Sequence, residues 1–166
     1  MKAKLIIEDK EIEIEISEEE YKKLHPSETG YERVPKSSVY FYVSYNDKVD
    51  TTVEDCYDVD NECYESANYY SDKTIAENNT RADKLIRQLR RFSVEHRERG
   101  VNLNDMNTRQ YCIYYDYGNN TLGTAFTLCA KTFGVICFDS DETALAAIDE
   151  FRDELIWYFT EYKDSL

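Results

Sequence analysis

The sequence predicts an α+β protein: an N-terminal β-hairpin and short helix, then two β-β-β-α units, each a three-stranded antiparallel sheet covered by one helix. Three observations carry this. Residues 11–16, Glu-Ile-Glu-Ile-Glu-Ile, alternate apolar and acidic with a period of two. A Tyr-rich strand, turn, strand and Ser-capped helix occur twice, the caps Ser71 and Ser140 lying 69 residues apart and the strand tyrosines Tyr40 and Tyr111 lying 71 apart. Two later stretches carry apolar residues at near-helical spacing.

Each element follows in order. Residues 3–7 and 11–16 form a hairpin about an Asp9-Lys10 turn. Ser17 with Glu20 is a capping box for a short helix with Tyr21 and Leu24 as its apolar contacts, and Pro26 stops it. Residues 25–37 hold both prolines and Gly30 and predict a linker. Val39–Tyr45 and Lys48–Val53 are strands about an Asn46-Asp47 turn. Tyr111–Tyr117 and Thr121–Leu128 are strands about Gly118-Asn119-Asn120. A third strand leading into a capped helix follows each pair, within 67–74 and 136–143. Helices then run over 72–98 and 141–162, the first on Ile75, Ala82, Leu85, Ile86, Leu89 and Phe92. The second rests on Ala144, Ile148, Phe151, Leu155, Phe159 and Tyr162. Gly100 ends the first helix. The expected organisation is 1–36 as hairpin, helix and linker, 37–100 as the first unit and 101–166 as the second.

Composition bounds the function. The chain has 166 residues, 34 acidic against 20 basic, a formal charge of −14, and 15 tyrosines. No apolar run approaches the ~18 residues of a membrane span, and the first residues lack the apolar segment and cleavage site of a secretory signal. With 42% apolar residues the chain can build a core. Cys56, Cys63, Cys112, Cys129 and Cys137 are odd in number and lack C-x-x-C spacing. They predict reduced, buried thiols in a cytoplasmic protein rather than disulfides or a zinc site. No metal or cofactor is expected.

Charge is placed unevenly. Residues 47–65 hold eight acids and one base, and 139–166 hold nine acids and two bases. Residues 81–99 hold seven bases and three acids. No phosphate loop, dinucleotide fingerprint, nucleophile elbow or H-E-x-x-H motif occurs, so no enzyme is expected. The acids at 58–62 lack the glycine and terminal Glu spacing of a calcium loop. His25 lies beside Pro26 in the linker and His96 in the Arg-rich helix, and neither has a nucleophile partner in an identifiable motif.

Ala67-Asn68-Tyr69-Tyr70-Ser71-Asp72, Glu77-Asn78-Asn79, Leu89-Arg90-Arg91-Phe92 with Glu95, Tyr111–Tyr117 and Phe151–Tyr162 resemble a family of small acidic accessory proteins. These are encoded by phages, prophages and conjugative elements of low-GC Gram-positive bacteria. One departure is Thr124-Ala125-Phe126, where related chains often carry Trp. The resemblance implies a mobile-element setting, in which small acidic proteins often inhibit host defence as anti-CRISPR proteins do.

Two surfaces compete for the role. The acidic one comprises Glu54, Asp55, Asp58, Asp60, Glu62 and Glu65 with Tyr57 and Tyr64 between them. Rows of carboxylates on a rigid frame can pose as DNA to a basic groove, and Tyr adds rigid contact area. The bland alternative is a solvated acidic loop. The basic surface comprises Lys84, Arg87, Arg90 and Arg91. It could sequester a nucleotide signal, pair with the chain's own carboxylates, or meet an acidic copy in a homodimer. The leading expectation is a non-enzymatic inhibitor acting in the cytoplasm of the infected host. It would bind a defence protein or nucleoprotein effector, a Cas nuclease among them, by DNA mimicry. No direct DNA or membrane binding is expected. Nucleotide sequestration, or a structural or regulatory role in the phage life cycle, is the alternative.

Overall fold

The computed structural model describes the backbone of residues 2–7 and 10–15, and residues 17, 29–105, 107–128 and 134–164. The short helix expected after Ser17, with Glu20, Tyr21, Leu24, His25 and Pro26, lies outside the described residues, as does Cys129. The protein is α+β, as the sequence predicts. Strands β1 (Lys2–Ile7) and β2 (Lys10–Glu15) pair antiparallel with Leu5 opposite Ile12. Strands β3 (Val39–Val43) and β4 (Val49–Val53) form a second hairpin. Helix α1 (Asp58–Glu65) and helix α2 (Lys73–Glu95) follow. Strands β5 (Gln110–Asp116) and β6 (Thr121–Thr127) form the third hairpin, before helices α3 (Asp141–Glu150) and α4 (Arg152–Thr160). No described helix is long and apolar enough to cross a membrane.

Two compact units divide the chain, one of Met1–Ser44, Val49–Ala76 and Ser165–Leu166, the other of Tyr45–Lys48 and Glu77–Asp164. The division falls inside α2, after its first turn.

The expected third strands shrink to one residue each. Phe41 and Tyr70 exchange both backbone hydrogen bonds, each 2.9 Å, and Tyr111 and Phe138 do the same at 2.9 and 2.8 Å. The physical reason in the first unit is that a side chain takes over. The Asn68 carboxamide accepts from Val43 N–H at 2.7 Å and donates to Val43 C=O at 2.9 Å, copying a strand partner. After Tyr70 the chain turns at once into α2. The cap of that helix is Asp72, whose Oδ1 accepts from Ile75 N–H at 3.0 Å, and not Ser71. Ser71 instead donates its hydroxyl to Glu32. In the second unit Ser140 is the cap, accepting from Thr143 N–H at 3.1 Å.

The two interiors differ. In the first unit Phe41, Val43 and Val49 share one face of the hairpin and pack on Tyr70, Ile75 and Ala76. Gly30 closes that cluster at φ +88°, where a Cβ would come within 2.8 Å of Ile75. Tyr40 points to the opposite face and stacks on Tyr69, the ring centroids 4.0 Å apart. In the second unit Leu85, Leu89 and Phe92 of α2 meet Phe138, Ala144, Ala147, Ile148 and Leu155, and Tyr111, Ile113 and Leu122 pack on them from the sheet.

The helix expected over 141–162 is broken at Phe151, φ −110° and ψ 20°. No Gly or Pro causes this. The Phe151 ring stands edge-on to Phe92 at 5.8 Å, so tertiary packing overrides local propensity. The expectation of uniformly buried thiols is also corrected. Cys56 is exposed, and Cys63, Cys112 and Cys137 are half-buried, because none faces either apolar cluster.

Candidate functional site

The acidic stretch folds as a helix, where the sequence predicts a loop between strands. Its apolar content is too low to show a helical period, and a buried polar network organises it instead. Glu54, at the end of β4, is 1% exposed. Arg33 grips it with Nε to Oε2 at 2.9 Å and Nη2 to Oε1 at 3.0 Å. Tyr69 donates its hydroxyl to Oε2 at 3.0 Å, and Cys56 N–H donates to Oε1 at 2.8 Å. Four donors on one carboxylate favour its charged form. The Arg33 guanidinium, opposing the effect of burial, holds the Glu54 carboxyl well below the usual range, at about 2. Burial pushes the Tyr69 and Tyr40 hydroxyls up, so both remain protonated donors.

Asp60 repeats the arrangement one turn into α1. It is 2% exposed, accepting from the Tyr40 hydroxyl at 3.0 Å, from Tyr57 N–H at 3.0 Å and from Asp55 N–H at 3.1 Å. Arg33 Nη2 also donates to Asn61 Oδ1 at 2.8 Å. Between them the two carboxylates fix the backbone of residues 55–57, including Cys56 at φ +61°.

This placement divides the sequence-predicted acidic surface. Glu54 and Asp60 are buried and satisfied within the chain, so they belong to no exposed face. The physical reason is Arg33, the one arginine among the first 80 residues, together with two buried tyrosine hydroxyls. Asp55 is half-buried. Asp58, Glu62 and Glu65 are exposed. Their i, i+4, i+7 spacing places them on one side of α1. Tyr57, 68% exposed, and Val59, 59% exposed, flank that stripe, while Tyr64 leans edge-on against Tyr69 with Arg33 over its ring. Three carboxylates over about 10 Å of helix axis is a sparser row than one DNA strand, with one charge per ~3.4 Å.

The basic face is partly neutralised by its own unit. Arg81 makes a bidentate pair with Glu154 at 2.7 and 3.0 Å and lies over Trp157 at 3.9 Å. Arg87 pairs with Asp47 at 2.7 Å, and Arg91 approaches Glu95 at 3.8 Å. Lys84 and Arg90 are exposed. Lys84 lines a groove with Arg81, Gln88 and Arg152, but Asp149, Glu150, Asp153 and Glu154 line it too. Phosphate entering there meets four carboxylates, which weighs against nucleotide sequestration. Among the described residues no group of three or more His, Cys, Asp or Glu is placed to hold a metal ion.

Arg33, Tyr40 and Tyr69 were not legible as site residues from sequence. The isolation of Arg33 in an acidic half-chain was the signal that could have found the first. No family model, curated protein or solved structure matches the chain.

Proposed function

We propose that the chain is a non-enzymatic inhibitor from a phage or mobile element, acting in the cytoplasm of the bacterial host. It uses the outward side of α1 to occupy a basic, nucleic-acid-binding surface of a defence effector, in the manner of an anti-CRISPR protein. The observation that carries the reading is the exposed Asp58–Glu62–Glu65 stripe, held on a helix whose N-terminus is pinned by Glu54 and Asp60. A pinned helix loses little conformational freedom on binding, which lowers the entropic cost of association. Tyr57 supplies an aromatic anchor beside the charges.

The charge of −14 supports the same reading, since it speeds encounter with basic partners and disfavours direct nucleic-acid binding. The sparse carboxylate row sharpens it: α1 copies the charge sign of a nucleic acid more than its spacing, so the partner contact is partial mimicry completed by apolar anchoring. The test is competition. RNA-guided nucleases of Gram-positive hosts are titrated with the protein while target-DNA binding is followed at several salt concentrations. The reading expects DNA displacement that weakens steeply with salt. Displacement insensitive to salt, or none across such effectors, contradicts it.

A further inference from the structure

We infer that the outer edge of β6 is a self-association surface, joining two copies of this chain into a dimer through antiparallel β6–β6 pairing. The ladder geometry shows which groups are free. Tyr111 spends its N–H and C=O on Phe138, on the side of β5 away from β6. The Tyr111–Phe126 pair is therefore a non-hydrogen-bonded pair of the β5–β6 ladder. By alternation, the N–H and C=O groups of Leu122, Thr124 and Phe126 all point outward from β6. Among the described residues no strand and no backbone-to-backbone hydrogen bond covers that edge, and the one side-chain bond to it is a long one, the Thr121 hydroxyl donating to the Leu122 carbonyl at 3.3 Å. Backbone groups in an open row are a template for another strand.

Two features select a second copy of this chain as the occupant. The first is charge. One residue in three of the chain is charged, yet Tyr117–Leu128 contains none, and β6 has neither proline nor lysine to guard its edge. The open edge of β4, by contrast, carries Asp50 and runs into Glu54-Asp55. Copies of a chain at −14 repel each other, and β6 itself adds no charge to that repulsion, the carboxylate bonded to it being Asp141, which accepts from the Thr124 hydroxyl.

The second feature is self-complementarity. Pairing about a two-fold axis at Thr124 sets Leu122 of one copy opposite Phe126 of the other, twice, and makes about six new hydrogen bonds. Phe126 is 57% exposed and would gain an aliphatic cross-strand partner.

Light scattering with size-exclusion chromatography over a range of micromolar concentrations tests this, together with amide exchange. The full chain should run as a dimer, and the Leu122, Thr124 and Phe126 amides should gain protection as concentration rises. Phe126→Lys, on an exposed side chain whose N–H serves no bond within the hairpin, should weaken dimerisation at least about tenfold while circular dichroism stays unchanged. Phe126→Pro, whose lost N–H is an outward one, should do the same. Thr51→Lys on the β4 edge should leave the dimer intact. A monomer at every concentration, fast exchange of the three amides in the dimer, or dissociation by Thr51→Lys and not by Phe126→Lys would overturn the assignment. Pairing of β6 with a strand of a foreign protein, while the free chain stays monomeric, would likewise refute it.

Discussion

The two units share a local plan and solve their interiors by opposite means. Each has a hairpin, a single bridged residue and an N-capped helix. The second unit fills the space beneath its hairpin with Leu85, Leu89, Phe92, Ile148 and Leu155, a cluster whose stabilisation follows from apolar area removed from water. The first has only a small apolar cluster on the corresponding side of its sheet, and places a Tyr40–Tyr69 stack, two carboxylates and an arginine on the opposite side. A polar interior of that kind is directional. It holds residues 55–57 and the start of α1 in one geometry, at the risk that losing any one partner strands a buried charge. The first unit thus trades tolerance for precision where the acidic helix is presented.

Breaking the polar interior should have the largest effect. Glu54→Ala leaves Arg33, about a third exposed, without its partner and the Tyr69 hydroxyl without its acceptor. A loss of about 3–5 kcal/mol is expected, toward the lower figure because Arg33 can regain water. Hydrogen exchange should report it in residues 39–70 and leave 110–116 protected. A uniform loss across both units would mean that the two interiors are not separable.

The matching cut in the second unit is Leu85→Ala. Its side chain is 2% exposed, and about 2–5 kcal/mol should go with the cavity, read by denaturant titration. Here no buried charge is stranded, so a refilling Leu85→Met should recover most of the loss, whereas Glu54→Gln should recover only part of that from Glu54→Ala.

Acid sharpens the contrast without a mutation. The Glu54 carboxyl is held down to about 2 from the ordinary 4.5, so its contribution is complete above the ordinary value. That contribution is lost as pH falls from 4.5 through about 2. Exchange in residues 39–70 should therefore accelerate over that window. In the second unit the Arg81 guanidinium also lowers Glu154, but that pair is over two-fifths exposed and is screened by solvent, so its effect should be smaller. Earlier opening of the second unit would reverse the assignment of which interior depends on charge.

The caps should give the smallest stability effects. Asp72→Ala and Ser140→Ala each remove one acceptor from a first-turn N–H and should cost about 1 kcal/mol in thermal unfolding.

The second unit was the more legible of the two. Apolar spacing exposed its helices, and the Ser140 cap and both strands of its hairpin lie where the pattern predicts. The break at Phe151 was not legible, because it comes from a ring contact with Phe92 and not from a helix breaker. In the first unit the hairpin was legible and α1 was not. Its one buried residue is Asp60, with Tyr64 leaning on Tyr69 beside it, and these read as a solvated acidic run until Tyr40 and Tyr69 are in place to bond and pack against them. The acidic stretch likewise could not be divided into structural and exposed acids from spacing alone. The distance from Arg33 to Glu54 is 21 residues along the chain, and only the fold makes them neighbours.

The exposed side of α1 is the working surface under the proposed function, and reversing its charge tests that most directly. Asp58→Lys, Glu62→Lys and Glu65→Lys together alter only exposed side chains, each change shifting stability by no more than about 0.5 kcal/mol. The variant should fold as the parent does and lose displacement of DNA from the effector, while Lys84→Glu with Arg90→Glu retains it. Full activity in the triple reversal, with activity lost in the Lys84 and Arg90 variant, would contradict the account and move the working surface to the basic helix.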